Sequence, residues 1–304
     1  MMAYNWLGNG IFPLCIAYGI SFVALVIGSI TDLKTREVPD WINYGLIISG
    51  IILNLLFYVI FSNPYFIINS IVGLLILFGI AYLMFYAGQW GGGDSKILMG
   101  LGAMIGIDLR FRMSQFLFAF LITALLIGAL YGLFWSIFLV FRNRKKFWKQ
   151  YSKMQSKDEI IKSKKILLSV LVLFWVLSLL FKYPYVRLLS LSVGFLIVTT
   201  FYLWVFIKSI EKSCMHKLVE PSKLTEGDWI VKDVFVDKKY ICGPKDLGID
   251  KKQINQLVGF YKKGKVKRIL IKEGIPFVPS FLITFAVTFV FGNPMTLLIG
   301  NIMG

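Results

Sequence analysis

The sequence predicts an all-α polytopic membrane protein of about eight transmembrane helices, the fourth of them short, with a small cytoplasmic α+β segment before the last. Three observations predict it. Of 304 residues 57% are hydrophobic and 16% charged, with a mean hydropathy of +0.73, well outside the range of soluble globular chains. The apolar residues gather in runs that, with one exception, are long enough to cross a hydrocarbon core about 30 Å thick. Finally, Lys and Arg collect in alternate connections between those runs.

The runs cover about 11–31, 41–61, 65–88, 96–107, 115–141, 166–182, 185–207 and 276–300. The first is expected to remain as a helix rather than to be cleaved. Nothing basic precedes it, it is too long for the core of a signal peptide, and no small-x-small site follows. The 27 glycines suit helix packing in lipid, where small residues let backbones approach. No internal repeat is visible, which speaks against a transporter built from inverted halves.

Orientation follows from charge. With the uncharged N-terminus outside, the inner connections hold Lys34 and Arg36, then Lys96, then the basic stretch around 142–165, then everything between Lys208 and Lys272. Of the 33 basic residues, only Arg110, Arg112, Lys182 and Arg187 fall outside. The formal charge of +17 is therefore chiefly a topology signal in a cell-membrane protein. Anionic lipid headgroups are the expected neighbours at the cytoplasmic face, and nucleic acid is not an expected partner.

The organisation expected is membrane helices over 1–141, a basic solvated loop over 142–165, a further membrane hairpin over 166–207, an α+β unit over 208–274 and a final helix over 275–304. Within 208–274, EGDWIVKDVFVDKKYICG alternates as strands do, and DKKQINQLVGFYKKG reads as an amphipathic helix. Asp250 and Gln253 form its capping box and Gly264 its C-cap. KVKRILIK adds a strand, for a β-β-α-β unit. Cys15, Cys214 and Cys242 make neither a disulfide framework nor a thiolate zinc site. The one histidine, His216, lies in a polar stretch, which argues against Ser-His, Cys-His and H-E-x-x-H chemistry. No metal or cofactor is expected.

Two aspartates stand at the inner ends of apolar runs: Asp32 in SITDLKTREVPDW after the first and Asp94 in GGGDSK after the third. Carboxylates at membrane depth are costly and usually mark function. Both face the cytoplasmic boundary, so they can meet. Pro39 pre-sets the start of the second helix. Gly91, Gly92 and Gly93 allow a backbone break and close approaches that side chains forbid, and Asp94 is expected to N-cap the short fourth helix.

Together, D-x-x-x-R-x-V-P-D and, about 60 residues later, G-x-G-D resemble the prepilin peptidase family of GxGD membrane aspartic proteases. Arg36, Val38, Pro39 and Asp40 around Asp32 carry the match, with Gly91, Gly93, Asp94 and Lys96 at the second site. EGIPFVPS, Glu273 to Ser280, resembles the start of that family's terminal helix. A cytoplasmic segment before the last span resembles the archaeal preflagellin and prepilin peptidases in particular. Presenilin-like proteases fit less well: Thr31 rather than Tyr precedes Asp32, and no P-A-L motif follows. The paired C-x-x-C domain of many bacterial members is absent, so peptidase activity without methyl transfer is expected.

The resemblance implies Asp32 and Asp94 as catalytic residues acting on the short basic leader of pilin-like or archaellin precursors. Two neighbouring carboxyls supply the base and the acid that metal-free peptide hydrolysis needs. Lys96 and the helix N-terminus would favour Asp94 as the base, with Asp32 as the acid. Glu37 and Asp40 lie in the right loop to attract a cationic leader. The competing classes are an ion-coupled transporter and a membrane scaffold for pilus assembly. The first calls for carboxylates near mid-bilayer, and the second would tolerate loss of either aspartate.

Overall fold

The computed structural model describes residues 11–108 and 116–292. Arg110 and Arg112 of the outer connections, and the end of the 276–300 run, lie outside the described residues. In chain order the helices are α1 (Ile11–Thr35), α2 (Asp40–Phe61), α3 (Tyr65–Tyr86), α4 (Gly92–Ile105), α5 (Phe116–Arg142), α6 (Arg144–Gln155), α7 (Asp158–Leu180), α8 (Pro184–Ile210), α9 (Lys251–Lys262) and α10 (Val278–Phe291). The strands are β1 (His216–Val219), β2 (Trp229–Ile230), β3 (Val234–Val236), β4 (Lys239–Cys242) and β5 (Ile269–Lys272).

Among the described residues, six helices are long and apolar enough to cross a membrane: α1, α2, α3, α5, α7 and α8. The short α4 and the apolar α10 add two more, in agreement with the expected architecture. The chain divides into two compact units, one of Met1–Leu133 with Gly274–Gly304 and the other of Phe134–Glu273. The last helix therefore joins the first unit rather than standing by itself.

In the first unit, α4 is the central helix, packed on both α2 and α3. A Cβ at Gly50 of α2 would lie 2.7 Å from the Met104 backbone nitrogen, and one at Gly100 of α4 would lie 2.7 Å from Leu46 Cδ2. The backbones of Gly73 on α3 and Gly102 on α4 touch directly. Such approaches are what small residues permit between helices in lipid. Asn54 Nδ2 donates to the carbonyls of Ala103 (3.2 Å) and Met104 (3.1 Å), in the last turn of α4. Terminal helix carbonyls have no intrahelical donor, and hydrocarbon supplies none, so a buried amide is the economical partner. Gly106, at φ +76°, then turns the chain away in a conformation that L side chains resist.

The second unit corrects one expectation. Residues 142–165 are no solvated loop but the end of one helix, the whole of α6 and the first turns of α7. Phe147 and Met154, seven residues apart on one face of α6, are both buried, and Met154 packs with Ile160 and Val205. The lysines between them occupy the other faces, and their density hides the period. Helix α8 runs on through a π-helical turn, Glu211–Met215, so the α+β segment begins at His216 rather than 208.

Its sheet also gains a strand that periodicity did not reveal. β5 is central, with β1 antiparallel on one side and β2 on the other, while β3 and β4 form a separate hairpin. The capping box of α9 is present: Gln253 N–H donates to Asp250 Oδ1 (2.7 Å), and Asp250 N–H to Gln253 Oε1 (3.0 Å). Lys263 is the C-cap, and Gly264 follows it at φ +71°. Leu257, Ile269, Ile271, Ile249 and Cys242 fill a small core, where burial, followed by the charges of Asp246 and Asp233, pushes the Cys242 thiol up to about 11.

Candidate active site

Helix α1 continues past Asp32 to Thr35, and the chain leaves it at Arg36, whose φ of +64° ends the helix while its N–H closes on the Asp32 carbonyl (3.0 Å). Val38 then turns inward and is buried, and Pro39 caps α2. Two glycines make room for this turn. A Cβ at Gly93 would lie 3.1 Å from Val38 Cβ, and one at Gly28 would lie 2.9 Å from Ile97 Cδ1.

That last contact brings α1 and α4 together and sets the position of the two aspartates. Asp32 lies four residues after Gly28, and Asp94 three residues before Ile97. The two helices run in opposite directions, so each aspartate is displaced from the contact by about one turn the same way. The carboxyl groups are within electrostatic reach of each other.

Each is also pinned by a backbone donor. Asp32, only 5% exposed, accepts a hydrogen bond at its Oδ2 from the N–H of Val278 (3.0 Å), the first residue of α10. Asp94 accepts at its Oδ2 from Gly91 N–H (2.9 Å). An N–H at the start of a helix has no intrahelical acceptor and suits an anionic partner. Arg36 and Tyr131 of α5 share the electrostatic surroundings of Asp32. Trp90, Phe277 and Phe281 pack beside this end of α10, with ring centroids 5.3–6.0 Å apart.

Several expectations change. Gly91, not Asp94, is the N-cap of α4; Gly92 and Gly93 are helical, and Asp94 stands in the first turn. Gly93 serves the approach of Val38 rather than a break in the helix. Lys96 does not serve Asp94. Its Nζ pairs with Asp40 Oδ1 at 2.6 Å and lies 5.0 Å from the centre of the Tyr44 ring. Asp40, expected to meet a leader, is thus already ion-paired, whereas Glu37 is exposed and has no ion pair among the described residues. Sequence reading did not find Val278 as the partner of Asp32. The signal was present in FVPS, where Pro279 marks a helix start. Among the described residues, no three His, Cys, Asp or Glu side chains gather to hold a metal.

Fold and site together define a polytopic membrane protein with a two-aspartate centre between packed helices. Residues 19–133, less than half of the chain, match the model of the type IV leader peptidase family. The chain is 47% identical over 92 residues to the preflagellin peptidase of Methanococcus voltae, covering 30% of this chain and 38% of that protein. It is 41% identical over 86 residues to that of Methanocaldococcus jannaschii, covering 28% and 36%. For Methanococcus maripaludis the figures are 38% over 90 residues, covering 30% and 39%. The matched region therefore spans less than two fifths of each relative. No solved structure matches the chain significantly.

Proposed function

We propose that this chain is a membrane aspartic endopeptidase that removes the short basic leader of archaellin or type IV pilin-like precursors at the cytoplasmic face of the cell membrane, without methyl transfer. The reading is supported by Asp32 and Asp94 lying within electrostatic reach of each other inside the segment that matches leader peptidases.

Asp32 is held by the backbone N–H groups at the start of α10 and Asp94 by that of Gly91, so both carboxyl groups are oriented for work on water and substrate. One carboxylate takes a proton from water as the water oxygen adds to the scissile carbonyl, and the other carboxyl, protonated, donates to the carbonyl oxygen. The resulting diol collapses as the amide nitrogen is protonated and the C–N bond breaks, releasing a leader carboxylate and a new N-terminal amine. The excess of Lys and Arg in the connections on the aspartates' side supports a cytoplasmic location.

The test uses the full chain in proteoliposomes with a precursor carrying its leader. Wild type should shorten the precursor after the leader, and Asp32→Asn or Asp94→Asn should each lower the rate by about 10³-fold or more. Processing that survives both substitutions overturns the mechanism.

A further inference from the structure

Most glycines of the first unit are demanded by their neighbours. At Gly28, Gly50, Gly93, Gly100 and Gly102 a side chain would collide with a packed helix or loop. Gly19 on α1 and Gly45 on α2 are different, because a Cβ at either would have nothing within 4 Å among the described residues. Both line a groove of about 390 Å³ between α1 and α2, whose outer rim is exposed at Val23 and Trp41. Packing among the described residues does not explain small residues there. In lipid, where burying apolar surface gives no net drive, small residues facing outward are what a second helix needs to approach closely.

The groove also has a direction. Along α1 it runs from Gly19 to Ile27, about 12 Å at helical rise. It ends at Ile27 and Trp41, and Asp32 lies five residues beyond Ile27, while Asp40 immediately precedes Trp41. The loop joining the two helices carries Glu37, exposed and without an ion pair among the described residues. An apolar helix lying in the groove with its N-terminus toward that loop would deliver the residues just ahead of it to the two aspartates. Its cationic flank would meet Glu37.

We infer that the α1–α2 groove is the docking site for the hydrophobic N-terminal helix of the precursor, which enters sideways from the lipid. Gly19 and Gly45 admit its backbone, and Glu37 attracts the leader. This rests on the leader peptidase reading above and adds the surface that selects a substrate by its helix.

The test fills the groove. With full-length precursor in proteoliposomes, Gly45→Leu and Gly19→Leu should raise KM about tenfold and leave kcat unchanged. Gly79→Leu, at a glycine of α3 where a Cβ likewise meets nothing within 4 Å among the described residues, should change neither. In parallel, a photocrosslinking amino acid at the exposed Val23, in an Asp94→Asn background, should capture the precursor's hydrophobic segment. Wild-type KM in both groove variants, or crosslinking only to lipid or to a second copy of the chain, overturns the inference. A wild-type chain that leaves the precursor uncut defeats the peptidase reading instead, and the Val23 crosslink then still reports whether the groove receives the helix.

Discussion

Helix α4 and the α7–α8 hairpin are both built from apolar helices in contact, yet they are held in different ways. α4 is gripped through glycines on itself and on two neighbours, and its last carbonyls are satisfied by Asn54 and Ser70 from α2 and α3. In the hairpin, a Cβ at one glycine, Gly194, would lie 3.1 Å from Phe174 Cβ, one hydroxyl, Ser190, donates to the Phe174 carbonyl, and most large side chains are exposed. The close fit surrounds the helix that carries Asp94, and on the proposed function that is where a reacting group must be placed, since a carboxyl displaced by an ångström would lose much of its catalytic value. The hairpin's surface reads as a face for lipid.

Breaking the fit should separate the two regions most sharply. Gly102→Leu drives a side chain into the Gly73 backbone and should cost about 4 kcal/mol or more, enough to keep folded protein from accumulating. Gly194→Leu meets a side chain that can yield and should cost about 1–2 kcal/mol. Thermal unfolding in detergent measures both, and equal losses would erase the distinction. A smaller effect is expected from hydrogen bonds. Asn54→Leu strips the Met104 carbonyl of its side-chain donor and should cost about 1–3 kcal/mol, against about 0.5 kcal/mol for Ser190→Ala, whose acceptor lies within helix α7.

The Asp40–Lys96 pair is partly in water, so a double-mutant cycle should show a coupling of only about 0.5–1 kcal/mol. A coupling several times larger would make it a structural lock on α4. The least signal is expected at Cys242, deep in the second unit's α+β core. Its thiol, pushed up to about 11, stays protonated at pH 8, so maleimide should leave it unlabelled until the protein unfolds. Rapid labelling would show that this core is as open as the hairpin's surface.

These contrasts also explain what could be read in advance. The spans were legible because hydrocarbon demands long apolar runs, and the common side of Asp32 and Asp94 because Lys and Arg mark one face. Helix α6 was hidden because only Phe147 and Met154 face inward among many lysines. The start of α4 at Gly92 was obscured by glycine's poor helix propensity, which packing against Val38 overrides. The partner of Lys96 could not be read from proximity in sequence. Asp94 lies two residues away, yet the turn after α1 brings Asp40 to the ammonium group.

The hydrogen bond from Val278 to Asp32 joins residues 246 positions apart. A chain under synthesis makes both aspartates long before it makes the donor that holds the first. If the proposed function holds, the site waits for α10: a nascent chain stalled before Gly274 should leave precursors uncut.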